Sequence, residues 1–595
     1  VPADRSTHTD EIVVLKFGGS VLVDTDAIAT AVHECYRWVR RGTKVVAVVS
    51  ALGDTTDRLL TDARRYGHAP SAAATATLVA TGEATSAAHL WLGLDAAGLR
   101  AIALDPRDVG LRVEGHLLDA RPVAVDPTRI RAAFAPAGGG HAVVVVPGFV
   151  GVDAAGRVSL LGRGGSDLSA LVIADALGAR CRLVKDVPGL FERDPARPGP
   201  FARRFATVTF DDAARLDGAI LQRKALEFAR SRSLAFEVAA LSDPLDERVT
   251  IVGAPETTFA VDRTRRRLRT AILGFGVVGR GVWQHLAREH DRFEIVGVAV
   301  RTPKRHGDAL PPSLLRRGPV DLAHDPSIDL VVECLGGTDV ALAAIEAALG
   351  RGAQVVTANK AVFARCAGAI DRAIAIGSLD GRTPRLRASA AVGGAAPCLE
   401  TIERWANDRV AGGIASFEGI LNGTTNVILG RMARGATFDE ALAEAQALGF
   451  AEGDPSADLD GHDACDKATL LARAAFGRVP ARVEVEGIRA FCGGPACDGL
   501  ACADLRLVAR ATPDAITVRC ERVEPGTPLD GVHDEWNRLV VRTRSGRVAI
   551  VEGKGAGRRP TAEAVVADAF DAWRDAAREH RVAPEHVADL VGGAA

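Results

Sequence analysis

Runs of consecutive Val, Ile and Leu recur along this chain with almost no polar residue breaking them: IVVLKF at 12–17, KVVAVVS at 44–50, HAVVVVPGFVGV at 141–152 and RLVKDV at 182–187. A strand with one wet face alternates apolar and polar residues. An unbroken branched-aliphatic run is a strand buried on both faces, hence a parallel or mixed sheet covered by helices. Helical stretches, the first over roughly 26–40, separate these strands, and the pattern closes near 252–255. A charged connector follows, and at Leu268 a second βαβ pattern begins, with FEIVGVAV, DLVVECLG and AQVVTANK as further strands. After Ala391 the strands mix with long Ala-rich helices. At 595 residues the chain exceeds what one core supports. The expected organisation is an α/β domain over 11–255, a linker over 256–268, a dinucleotide-binding α/β domain over 269–390, an α+β domain over 391–560, and a C-terminal helix and tail over 561–595, the helix packing back on the nucleotide domain.

Composition excludes several classes of function. With 47% hydrophobic and 25% charged residues the chain reads as soluble and globular, and a net charge of -2 gives no drive toward nucleic acid or an acidic membrane. The basic run over 263–269 lacks aromatic or groove-reading companions and reads as a solvated connector. No apolar run has the length of a membrane span, and the first residues lack a signal-peptide layout, so a cytoplasmic chain is expected. The ten cysteines contain no C-x-x-C pair. Cys492, Cys497 and Cys502 have the wrong spacing for zinc and no His joins them, so free thiols are expected.

Lysine usage is more informative. Only Lys16, Lys44, Lys185, Lys224, Lys304, Lys360, Lys467 and Lys554 interrupt an otherwise all-Arg set of 73 basic residues. Where Arg supplies the generic surface cation, each retained Lys is a candidate for work that needs a compact, titratable ammonium.

The first chemical motif is G-F-G-V-V-G, with Gly274, Gly276 and Gly279 directly after a strand and at the start of a helix. The first glycine permits the tight turn, the second lets a pyrophosphate approach the backbone, and the third allows close packing. Beyond the second strand, where an acidic residue would hold the ribose hydroxyl of NAD, stand Arg301, Thr302, Pro303 and Lys304. Two cations without a carboxylate suit a 2′-phosphate, so NADP(H) is expected.

Further motifs follow in order: ECLGGTD (333–339), TANKA (357–361), AAVGGAAP (390–397), GILNGTTNVIL (419–429), AEGDPSADLDGHDACDK (451–467) and GKGAGRRPTAEAVVAD (553–568). Together these resemble the serial motifs of homoserine dehydrogenase. The resemblance implies Lys467 as proton donor, Lys360 beside the nicotinamide and the reacting oxygen, and Glu452, Asp458 and Asp463 as ligands of the substrate. It further implies Val277, Val278, Thr338 and Gly557 as cofactor-binding residues beside the three glycines. A monovalent-cation loop, with sodium as the implied ion, maps to Ser389, Val392, Gly394 and Ala396, with Ser389 where the family has Glu. The chemistry agrees: aldehyde reduction needs a hydride, a proton on the carbonyl oxygen and an acceptor for the substrate ammonium. Asp463 and Lys467, four apart, share one helix face.

In the N-terminal half, KFGGS (16–20), VVSALGDTTD (48–57), TGEATSA (81–87), LLGRGGSD (160–167) and KDVPGLFERDP (185–195) resemble aspartate kinase, of the amino-acid kinase fold. The resemblance implies that Lys16, Gly18, Gly19 and Ser20 face the phosphates of Mg-ATP and that Asp167 orients the cationic groups. Ser50, Glu83, Arg163 and Ser166 would hold aspartate, and Asp186 and Phe191 would border the nucleotide. The departures are Ala196 for Arg, Phe191 for Tyr, Ala219 for a phosphate-facing Lys and Gln222 for His, with Lys224 or Lys185 as compensating cations. Three readings stand: a homoserine dehydrogenase fused to an active aspartate kinase in amino-acid biosynthesis, the dehydrogenase fused to an inactive kinase-like ligand-binding or scaffold domain, or the dehydrogenase fused to a kinase acting on a different amino-acid carboxylate. In each case a homodimer or higher homo-oligomer acting on small molecules is expected. Only 254–268 separates the two resemblances, too short for an ACT regulatory domain between them.

Overall fold

The structure is a computed structural model that describes residues 11–579 apart from 67–69, 136–138, 196–201, 217–219, 242–248, 261–266, 303–308, 380–382, 409, 452, 493–503 and 556. Lys304, Glu452, Ala196, Ala219, Cys497 and Cys502, singled out above, lie outside the described residues. The chain divides into two compact units, Val1–Arg263 and Thr264–Ala595.

The first unit is built on a nine-stranded mixed sheet. Its centre is Ile12–Phe17, paired in parallel with Lys44–Val49 on one side and Arg180–Lys185 on the other. Register decides what the sheet presents. Phe17 stands beside Val49 and Val184, and Val49 beside Pro147. The segments after these strands, starting at Gly18, Ser50, Asp186 and Gly148, therefore emerge along one carboxyl edge. The long apolar run at 141–152 forms two strands, Val143–Pro147 and Val150–Val152, in different sheets. The break falls at Gly148–Phe149, where Phe149 takes a positive φ of 66° and its amide donates to Ser169 Oγ at 3.1 Å. The helix Gly165–Leu177 starts from left-handed Gly164 and ends at left-handed Gly178. Thr258–Phe259, inside the stretch expected as linker, pairs antiparallel with Phe205–Val208 and extends the first sheet.

The second unit holds two six-stranded sheets. One is wholly parallel, with Leu268–Leu273 between Phe293–Ala299 and Leu330–Glu333, and with Gln354–Thr357 beyond. Leu273, Ala299, Glu333 and Thr357 end in register, so the four following loops share one edge at the point where strand order reverses. This is the crevice in which doubly wound folds bind dinucleotides. The other sheet is mainly antiparallel, from Ile414–Ile420 outward, and its core includes Val427, Leu471, Leu507 and Leu539 together with the helix His462–Phe476. The terminal helix, Arg558–Glu579, begins three residues before the expected start. It packs on the parallel-sheet domain: Phe570 meets Phe293 edge-on at 5.3 Å, and Asp575 takes Arg385 and Arg387 at 2.8 and 2.6 Å.

Candidate active sites

The glycine turn of the second unit divides its work among three residues. A Cβ at Gly274, whose φ is +98°, would lie 2.5 Å from the Cys334 carbonyl. One at Gly279 would lie 2.1 Å from the Gly274 carbonyl, so the third glycine lets the helix close on the turn itself. Gly276 has nothing within 4 Å of that position, leaving its backbone open to a ligand. Val277, Val278 and Gly279 form the first turn of the helix Val277–Leu286, where amides lack intrahelical acceptors and the dipole favours an anion. Arg301 is exposed beyond the second strand. Thr338 stands directly before the helix Asp339–Gly350, its hydroxyl donating to Asp339 at 3.1 Å, and Gly557, at φ +126°, precedes the terminal helix.

Across the same edge, Asp463 gathers a cluster. It is 3% exposed and receives Lys467 Nζ at 2.9 Å from one helical turn away. Lys360, the first residue of the helix Lys360–Arg365 after the fourth strand, pairs with its other oxygen. Asn422 donates to Asp458 at 2.7 Å and to Asp463 at 2.8 Å, while its own Oδ1 accepts the Thr425 amide and caps the helix Gly423–Met432. Lys467 also donates to the Leu421 carbonyl at 2.7 Å. Burial pushes its ammonium down to about 8, against the opposing pull of Asp458 and Cys398. A buried lysine brought to that range can give or take a proton near neutral pH.

In the first unit Asp167, 3% exposed on the first turn of Gly165–Leu177, bridges two ammoniums: Lys16 at 2.7 Å and Lys185 at 2.9 Å. Burial lowers the Lys16 pKa, while Asp167, despite its own burial, is held below the usual carboxylate range by the two lysines. The Lys16 side chain lies across Gly18, where a Cβ would come within 2.7 Å of Nζ. Gly19 faces the Gly53 and Ala51 carbonyls, and Ser20 is exposed. Glu83 is 2% exposed; burial raises it to about 7, one oxygen accepts the Ala51 amide at 3.3 Å, and the other has no partner. Ser50 is half-buried, its amide bonded to the Phe17 carbonyl. Ser166 is buried beside Asp167, while Arg163 and Asp186 are exposed. Half-buried Phe191 bridges to Arg204. Lys224 pairs with Asp119 and donates to the Leu161 carbonyl at 3.2 Å, which brings its ammonium against the glycine loop at 161–164; Gln222 packs on Gly164.

Three family descriptions match the chain: "Homoserine dehydrogenase, NAD binding domain" over 274–372, "Homoserine dehydrogenase" over 397–570 and "Amino acid kinase family" over 11–236. The homoserine dehydrogenase of Synechocystis is 36% identical over 329 residues, 51% of this chain and 73% of that protein. The chain belongs to the homoserine dehydrogenase family. The Corynebacterium glutamicum homoserine dehydrogenase is 34% identical over 335 residues, 51% of this chain and 72% of that protein. A solved homoserine dehydrogenase from Thiobacillus denitrificans aligns at 29% identity over 54% of this chain and 76% of its own length, with a TM-score of 0.47. The first unit is similar to the Geobacillus stearothermophilus aspartokinase, 36% identical over 245 residues, 40% of this chain; the chain spans 58% of that relative's length. The amino-acid kinase match thus lies ahead of the NAD-binding match and the second homoserine dehydrogenase match.

Within the dehydrogenase the structure adds Asn422, a residue that sequence reasoning quoted inside a motif without giving it a role. Its signal was an Asn directly before a helix, the position from which one amide side chain can cap and still reach outward. The cation loop is a different matter. Ser389 directs both its amide and its hydroxyl to Asp568, at 3.0 and 2.8 Å. The carbonyls of Ser389 and Ala396 accept from Val392 and Cys398. Residues 389–396 contain no acidic side chain, so carboxylate charge at this loop comes from outside it, as from the buried Asp568 on Ser389. Among the described residues no helix is long and apolar enough to cross a membrane.

Proposed function

We propose that the second unit interconverts aspartate semialdehyde and homoserine with NADP(H), and that the first phosphorylates the aspartate β-carboxylate with Mg-ATP. The observation that carries the dehydrogenase reading is the Lys360–Asp463–Lys467 constellation, which joins the carboxyl edge of the parallel sheet to the substrate-domain helix. The bound dinucleotide supplies the hydride. Lys467 gives the carbonyl oxygen its proton on reduction and recovers it on oxidation. Asp463 holds Lys467 in line, Lys360 adds positive charge beside the developing alkoxide, and Asp458 and Glu452 receive the substrate ammonium. For the kinase, Lys16 and the amides of Gly18 and Gly19 face the transferring phosphoryl group, and Asp167 orients Lys16 and Lys185. Glu83, with its unpartnered buried oxygen, takes the aspartate ammonium; Arg163, Ser166 and Ser50 take the carboxylates. Asp186 and Phe191 border the nucleotide, and Lys224 supplies a cation at the glycine loop. Assembly as a homodimer through 391–560 is supported by Val548 and Ile550, exposed on the edge strand Val548–Lys554.

Two assays test the whole reading: homoserine-dependent reduction of NADP+, and aspartate-dependent ADP release with hydroxylamine trapping, repeated with glutamate-type acids. A chain that passes the first and fails the second has a kinase fold without the kinase reaction.

The Lys467 environment fixes the pH behaviour. Aldehyde reduction needs the charged form, so its kcat/KM falls as pH rises through about 8; homoserine oxidation needs the neutral form and rises through the same value. Profiles that are flat for about one unit on either side of pH 8, in both directions, remove Lys467 as the proton carrier.

Cofactor choice is tested at the second strand. If Arg301 and Lys304 hold the 2′-phosphate, replacing both with Ala raises KM for NADPH by about ten- to a hundredfold, the range for charged hydrogen bonds, and leaves KM for NADH nearly unchanged. Equal effects on the two cofactors make these cations bystanders.

A further inference from the structure

Glu333 ends an otherwise apolar strand at the centre of the parallel sheet and has no exposure to solvent, nor does its register partner Thr357 on the adjacent strand. A carboxyl group in such a place is costly unless both oxygens are satisfied. Here they are, and the way they are satisfied ties two loops together. Glu333 Oε1 accepts the Leu335 amide at 2.6 Å, bending the chain at the start of the glycine-containing turn 334–338. Oε2 accepts the Thr357 hydroxyl. That hydroxyl accepts the Asn359 amide at 2.9 Å. The Asn359 side chain then does two things: its Oδ1 caps the helix Lys360–Arg365 through the Val362 amide at 3.3 Å, and its Nδ2 reaches back to the Gly337 carbonyl at 2.7 Å. Burial raises the Glu333 pKa, while the donors from Thr357, Leu335 and Asn359 oppose that shift.

The network starts at one buried carboxyl and ends on the two structures that border the dinucleotide crevice: the 334–338 turn and the first residue of the next helix, Lys360. Lys360 is 43% exposed and is otherwise a long, flexible side chain, so its ammonium can be placed only as well as its helix start is placed. We infer that Glu333, acting through Thr357 and Asn359, is the positioning residue that fixes Lys360 against Asp463 and sets the 334–338 turn at the matching distance. This inference rests on the dehydrogenase reading above. It assigns Glu333 and Thr357 no contact with substrate; they act through Lys360.

The test uses Thr357, because Val is nearly isosteric with Thr and suits a buried strand, so Thr357→Val removes one hydroxyl without emptying the core. Wild-type homoserine oxidation is measured first, and its absence takes both the parent reading and this inference down. Given activity, Thr357→Val lowers kcat by about ten- to a hundredfold, the range for misplacing a reacting group by about 1 Å. KM for homoserine changes little, and Thr357→Ser, which restores the hydroxyl, recovers most of the rate. Glu333→Gln, which can no longer accept at both atoms, falls in the same direction. The deciding arm is coupling: in a Lys360→Ala background Thr357→Val has little further effect, because both changes remove one function. A full, multiplicative loss in that background, failed rescue by Ser, or wild-type kcat in Thr357→Val overturns the inference.

Discussion

Replacing Lys467 with Ala lowers homoserine turnover by about two to four orders of magnitude, the span for losing a positioned acid or base, with dinucleotide affinity nearly unchanged. The structure says why the two effects separate. Lys467 is 6% exposed on the helix His462–Phe476, packed with the antiparallel sheet, and it meets Asp463 and the Leu421 carbonyl. The glycine turn at 274–279 belongs to the other domain of the unit. Removing one member of a buried ion pair ordinarily destabilises strongly because the other charge is stranded. Here Asp463 keeps Lys360 and Asn422, so the variant should fold. Lys467→Arg sharpens the experiment: it preserves a cation beside Asp463 but cannot yield its proton near neutral pH. It should melt close to wild type and remain slow. Near wild-type turnover in purified Lys467→Ala removes the residue from the mechanism.

Much of this is legible in the sequence, and the reasons are local. Unbroken Val runs specify buried parallel strands, and a glycine triplet after one of them specifies the turn, because at Gly274 and Gly279 a Cβ would strike a carbonyl at 2.5 and 2.1 Å, while Gly276 leaves its backbone open. The sparse lysines were the best single pointer: Lys16, Lys185, Lys360 and Lys467 all gather on one of two carboxylates, Asp167 or Asp463. The exceptions are instructive too. Lys44 donates to the His141 carbonyl and Lys554 pairs with Glu535, so rarity alone does not make a lysine chemical. What the sequence hid was long-range pairing. Asn422 meets Asp458 and Asp463, residues 36 and 41 positions away, through a link that no local motif encodes. Glu333 reads as a strand's polar end until register places Thr357 beside it. The run at 141–152 carries Pro147–Gly148 at its break, a turn dipeptide easily passed over among so many branched aliphatics, although nothing marks Phe149 itself for a positive φ. Thr258–Phe259 is too short to carry a periodic signal, and only the neighbouring Phe205–Val208 makes it a strand.

The second large effect is expected in the other unit: Lys16→Ala should reduce aspartate-dependent ADP formation by about two to three orders of magnitude, the span for removing one preorganised donor from a developing charge. Lys16 is buried at the end of the central strand, with its side chain lying across Gly18 and its ammonium on Asp167. That placement has a physical logic. A transferring phosphoryl group needs fixed positive charge, and a buried ammonium supplies it only if a carboxylate keeps it ionised and aimed. Asp167 opposes the lowering that burial imposes on Lys16 and aims its ammonium, while the two lysines hold Asp167 below the usual carboxylate range. Lys185 on the opposite oxygen means that Asp167 is not stranded when Lys16 is removed, so lost activity should not reflect an unfolded domain. Lys16→Arg should not rescue, because the longer planar fork must fit where even a methyl on Gly18 would come within 2.7 Å of Nζ. Lys185→Ala should be milder, since Lys16 remains paired. Homoserine oxidation by the same purified Lys16→Ala protein serves as the internal control and should stay at the wild-type rate. If the wild-type chain releases no ADP with aspartate under conditions where it oxidises homoserine, the kinase reading fails outright. The Lys16–Asp167–Lys185 triad would then be the anion-binding remnant of a domain kept for another purpose.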